Sequence, residues 1–226
     1  MIEQRVSLIE GKTPFLLIAP SGPNDPKTDL LTEILASKLN GYAVINWGWE
    51  RSPKIDYLKD KADCNDIDQC KSIVYDEFLE PILKFKNRII KNHRKVHQFV
   101  IQGISGNDLP SSIDIVVGAG SSARPSCAEW AKEIFLYMSA VEGIKAYLAK
   151  SGTILSGSLK KHLNQLFSYD NSVQSMQIEI PLTFRKTNED LNVFTNEIYK
   201  VMQHLLTMDE IQAKAIIPSN FRPKIY

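Results

Sequence analysis

Imidazole and thiol are scarce in this chain: 226 residues carry 4 histidines and 3 cysteines. The cysteines, at 64, 70 and 127, are odd in number and too sparse for a disulfide framework, so a reducing compartment is expected. Cys64 and Cys70 have no second pair beside them, which argues against a thiolate metal site. Charge of one sign is also missing. A formal net charge of +1 gives no long-range field of the kind that draws nucleic acid. The one basic cluster, "KNHRK" from Lys91 to Lys95, falls where a helix should end, and a cationic last turn complements the helix dipole there. No apolar run reaches the length that spans a bilayer, and the start "MIEQRVSLIEGKTPFLLIAP" lacks the basic opening and longer hydrophobic stretch of a signal peptide. The expectation is a soluble, cytoplasmic protein with neither nucleic acid nor membrane as partner.

What the chain does have is alternation of short β-rich runs with helical patterns. The runs are "FLLIA" (15–19), "YAVIN" (42–46), "HQFVIQGI" (97–104), "IDIVVGAG" (113–120), "IKAYLA" (144–149) and "QSMQIEI" (174–180). Several are apolar on both faces, as in strands covered by helices on both sides. Between them, Thr28 to Asn40 places Leu30, Leu31, Ile34, Leu35 and Leu39 at helical spacing and stops at Asn-Gly. Ser72 to Asn92 repeats the pattern with Val74, Phe78, Ile82, Phe85 and Ile89, and Pro81 should kink it. Ser126 to Val141 and Asn188 to Leu206 read as two further helices. The fold class expected is α/β: a three-layer α/β/α domain around a mostly parallel or mixed central sheet, with 1–226 forming one domain. In such sheets ligands bind past the carboxyl ends of strands. That would put the loops following Ala19, Asn46, Ile101, Val117 and Ile178 on one rim. The polar stretch 47–70 is long for a connection and reads as a functional or mobile loop, and about 217–226 as an extended arm.

The segments "LLIAPSGPNDPKTDLLTEILASKL", "GYAVINWGWERS", "DCNDIDQC…EFLEPILKFKNRI", "FVIQGIS…IDIVVGAG" and "VQSMQIEI" together resemble the N-formylglutamate amidohydrolase family, within the zinc-dependent carboxypeptidase-like hydrolases. The resemblance covers most of the chain in order. It implies a metal-bound water attacking an amide next to a carboxylate, a glutamate that shuttles the proton, and an arginine that holds the substrate's carboxylate. Such relatives carry A-P-H-G in the first loop and H-x-H-G on the third strand. This chain has "APSG", with Ser21 in the histidine's place, and Val100 and Gln102 at the two strand positions. None of these replaces imidazole as a strong zinc ligand. His93, His97, His162 and His204 show no H-x-H, H-x-x-E or H-E-x-x-H spacing.

Other family-like positions persist. Glu179, near the carboxyl end of a strand, matches the glutamate that would act as general base. Arg185 is either its ion-pair partner or a substrate clamp. Asp25 is either an acidic ligand or, in preference, a cap for the helix starting near Thr28. Arg51 is an anion-binding group or surface charge, and Glu50 and Asp56 share its rim. Ser21 lacks the G-x-S-x-G elbow of a serine nucleophile. "IVVGAGSSARPS" is neither a dinucleotide fingerprint nor a P-loop, and reads as a tight strand-to-helix turn open to an anion. Two functions follow. In the first, the zinc site has degenerated into a cleft formed by Ser21, Gln102, Glu179 and Arg51, with Asp25 and Arg185 nearby, which holds a small polar or carboxylated molecule. In the second, an altered ligand set keeps a metal-dependent amidohydrolase acting on N-acyl amino acids or γ-glutamyl amides. No cofactor is expected in the first case and zinc in the second; a protein partner is compatible with either.

Overall fold

The computed structural model describes residues 5–22, 25–48, 64–65, 74–104, 113–120, 125–158 and 162–215. Glu50, Arg51, Asp56, most of the loop 47–70 and the arm at 217–226 lie outside them. Seven strands form one sheet: β1 (Val6–Ile9), β2 (Phe15–Ala19), β3 (Tyr42–Asn46), β4 (Val96–Ile104), β5 (Ile115–Gly118), β6 (Ala146–Leu148) and β7 (Val173–Pro181), in the order β1-β3-β2-β4-β7-β5-β6. The four central strands β3, β2, β4 and β7 run parallel. β1 is antiparallel to β3, and β5 is antiparallel to β7 with β6 parallel to β5, so the sheet is mixed.

Four helices flank it: α1 (Thr28–Leu39), α2 (Glu80–His93), α3 (Pro125–Ala140) and α4 (Asn188–Ala215). Side chains alternate across a strand. Phe99 and Ile101 of β4 therefore pack with Leu31, Leu35, Trp130, Ile134, Phe194 and Ile198 in a core under α1, α3 and α4. Val96 and Val100 face the other way, into a second core with Phe78, Ile82, Phe85 and Ile89 under α2 and the turn before it. Those two cores and the sheet between them are the three layers. Among the described residues no helix is long and apolar enough to cross a membrane.

Local signals act as their chemistry requires. Asn40 ends α1 in the left-handed region at φ 50°, its N–H shared between the carbonyls of Ala36 and Ser37. Pro81 does not kink a continuous helix. A π-helical turn, Tyr75–Leu79, leads into α2, and the proline sits in the first helical turn, where its missing N–H costs no bond. The direction of β5 corrects the expected rim: antiparallel to β7, it delivers the loop after Val117 to the opposite end of the sheet.

Candidate functional site

The end of β4 determines how the carboxyl rim is built. β2 pairs with β4 from Phe15 and His97 as far as Ile18 and Val100, then turns away at Pro20, whereas β4 runs on to Ile104 beside β7. Backbone N–H groups alternate sides along β4: that of Val96 goes to Ser172 O and that of His97 to Pro14 O. The N–H of Gly103 accordingly faces the side that β2 has vacated. Asp25, on the loop after β2, fills the gap, its Oδ2 accepting that N–H at 2.9 Å.

Arg185 closes the same spot from the other side. It follows β7 through a short 3-10 turn, Leu182–Phe184, and is 3 % exposed. Its Nε donates to Ile180 O at 2.9 Å and its Nη1 to Pro26 O. The guanidinium lies across Gly103, where a Cβ would fall inside contact distance of Nη2 and 2.8 Å from Asp25 Cβ. Burial pushes the Asp25 carboxyl up from its ordinary pKa, against the Gly103 N–H and Arg185, which lower it. Burial lowers Arg185 in turn, against the charges of Asp25 and Asp29. Lys27 adds a further tie between the loops, its Nζ donating to Lys186 O at 2.8 Å and Asn188 Oδ1 at 3.1 Å. Asp25 therefore does not cap α1 with its carboxylate. Its backbone oxygen receives the Thr28 N–H and hydroxyl, while the carboxylate holds β4.

One residue back, the strand presents the opposite face. In the β4–β7 register Gln102 stands beside Glu179, and Val100 beside Gln177, with all four side chains on the α2 side of the sheet. Gln177 Nε2 donates to Glu179 Oε1. Glu179 is 6 % exposed and Gln177 1 %, while Gln102 is half-buried. Deeper along the face, Gln98 Nε2 donates to Ser175 Oγ at 2.7 Å, and that hydroxyl donates to Asn164 Oδ1 at 2.7 Å. A polar row thus runs from Gln98 and Ser175 through Gln177 and Glu179 to Gln102. Ser21 sits half-buried in the turn after β2, and that turn is fixed by Asn46, whose Nδ2 donates to Pro20 O at 2.6 Å.

The structure thus brings Gln102 and Glu179 together and joins Asp25 to Arg185 on the other face. Arg51 lies outside the described residues. Gln177 and Asn46 were missed in the sequence. The alternation of Ser175, Gln177 and Glu179 in "QSMQIEI" was the available signal for Gln177, since three polar residues at period 2 mark one face of a strand.

These residues do not fit zinc. Val100 is fully buried in the apolar core with Leu16, Ile18, Val44 and Phe78, and serine and glutamine occupy the other two expected positions. Among the described residues no three histidine, cysteine, aspartate or glutamate side chains are grouped to hold a metal. No protein-family model and no curated protein matches the chain. Solved structures do. N-formylglutamate amidohydrolase from Ralstonia eutropha JMP134 aligns over 94% of this chain and 100% of its own, with a TM-score of 0.56 and 12% identity. The bacteriophage poly-gamma-glutamate hydrolase aligns over 90% of this chain and 89% of its own, at a TM-score of 0.59 and 13% identity. This is the N-formylglutamate amidohydrolase fold.

A metallo-carboxypeptidase from Burkholderia cenocepacia shares it at a TM-score of 0.55 and 12% identity, over 90% of this chain and 65% of the longer enzyme. At such identities the amidohydrolase likeness is one of fold, and the chemistry rests on the side chains just described.

Proposed function

We propose that this chain uses the amidohydrolase fold to bind a small polar or carboxylated molecule at the Gln102–Glu179 face and does not hydrolyse it through zinc. The observation that carries this reading is Val100. Where the resemblance places an imidazole, an aliphatic side chain is fully buried in a core, and Ser21 and Gln102 stand at the remaining two positions. Aliphatic, hydroxyl and amide groups are weak replacements for imidazole. Gln102 has a use of its own, because an amide both donates and accepts and so orients a polar ligand without a metal. Asp25 and Arg185, offered by sequence as ligand and clamp, are committed to Gly103 N–H and to the carbonyls of Ile180 and Pro26.

The test is elemental analysis of the full chain, purified without chelator or metal-affinity tag, paired with hydrolysis assays on N-acyl amino acids and γ-glutamyl amides. The expected result is sub-stoichiometric metal and no turnover. Near one zinc per chain with turnover would overturn the reading and establish the altered-ligand amidohydrolase instead.

A further inference from the structure

The side chains on the Gln102 face have a definite polarity. On the strands of that face stand Leu16 and Ile18 of β2, Tyr42, Val44 and Asn46 of β3, Gln98, Val100, Gln102 and Ile104 of β4, and Val116 of β5; β7 adds Ser175, Gln177 and Glu179. Glu179 is the one formal charge among these residues. The cation that sequence matching offers to a carboxylate, Arg185, lies on the other face with its Nε and Nη1 on backbone carbonyls.

The second observation is the Gln177 amide. Its N–H side is spent on Glu179, which fixes the amide orientation, and its Oε1 is left as a buried acceptor with no hydrogen-bond partner. Glu179 offers about four lone-pair sites, of which the Gln177 bond uses one. Gln102, beside Glu179 and half-buried, supplies the opening to this floor and one further amide. Acceptors therefore outnumber donors, and a negative charge sits at the base. Bringing a carboxylate against it would place like charges together at low dielectric, whereas an N–H-rich cationic group would be attracted and hydrogen-bonded.

We propose that the Gln102–Glu179 floor is a subsite for a ligand's primary ammonium group, with Glu179 as counter-charge and Gln102 as orienting amide. This rests on the reading that the face binds a small molecule, and it reverses the polarity that the fold resemblance implies. The carboxylate of such a ligand, if present, lies at the far end, away from the sheet.

The experiment is NMR titration of the full, isotope-labelled chain with putrescine and, separately, with glutarate, followed through the side-chain NH2 resonances of Gln102 and Gln177. The expected result is putrescine binding at least tenfold tighter than glutarate, weakened at least tenfold by Glu179→Gln. Should E179Q fold poorly, as its melting temperature would reveal, Gln102→Leu at the half-buried position replaces it, with the same expected loss. Tighter binding of glutarate, or putrescine binding that neither variant weakens, overturns the ammonium subsite while leaving the cleft in place. If neither probe moves either resonance, both the subsite and the binding reading fail.

Discussion

Gly103 and Gln102 are neighbours on one strand, yet their two sides of the sheet have opposite character. On the Gly103 side the Arg185 guanidinium bonds Ile180 and Pro26, and Asp25 bonds the glycine N–H. On the Gln102 side the Gln177 oxygen is buried without a partner, next to a carboxylate and a half-buried amide. Satisfied polar groups hold a fold together, and unsatisfied ones in a cleft are kept for something that arrives later. The comparison teaches that the charged residues most easily matched to a family's chemistry, Asp25 and Arg185, are the structural ones here.

The most severe way to break the comparison is Arg185→Met. It leaves two backbone carbonyls and the buried Asp25 carboxylate without their partner, and should cost about 3–5 kcal/mol, as loss of one member of a buried charged network does. Chemical denaturation measures it. Gly103→Ala follows, at about 1–3 kcal/mol for overpacking, because the added methyl collides with Arg185 and Asp25. A fully stable G103A would show that the clasp is looser than described. Glu179→Gln should change stability by less than about 1 kcal/mol, since glutamine still offers an oxygen to Gln177, while removing ligand binding. A destabilisation as large as that of Arg185→Met would place Glu179 on the structural side and end the contrast.

The amino end of β4 allows a finer test. His97 is buried, stacked on Trp130 at 4.1 Å between ring centroids, and burial pushes its pKa down from 6.5 to about 3. The unfolded chain therefore takes up a proton that the folded chain refuses as pH falls. The stability His97 contributes is complete above pH 6.5 and is lost progressively towards pH 3. Asp25, with its raised pKa, works in the opposite sense, so the effect is read as the difference between wild type and His97→Phe, which keeps an aromatic ring on Trp130. Wild type should lose stability faster than the variant between pH 6.5 and 3. Parallel curves would mean that the imidazole is already protonated in the folded state.

Much of the fold was legible because its signals are local. The apolar runs of β2, β3, β4 and β7, the Asn40–Gly41 stop and the spacing of α1 are each encoded within a dozen residues. β1 was missed, since "VSLI" is short and only Val6 in it is buried. The direction of β5 was not legible, because pairing sense depends on how the chain returns to the sheet and leaves no mark in the strand itself. The site was legible in part. Glu179 and Gln102 could be matched, but Asp25 bonds a glycine 78 residues away, a distance across which capping chemistry next to Thr28 is the nearer explanation. Such long-range use of a carboxylate is set by where β2 ends relative to β4, which only the register reveals.

The most direct measurement is calorimetric titration of the full chain with zinc, compared with the same titration of Glu179→Gln. The expected result is no saturable site in either protein, since an amide, a hydroxyl and a buried valine stand where imidazoles are needed. A single saturable zinc site in the wild type that disappears in E179Q would show that the Gln102 face is a metal centre after all, and would contradict the contrast between the two sides of β4.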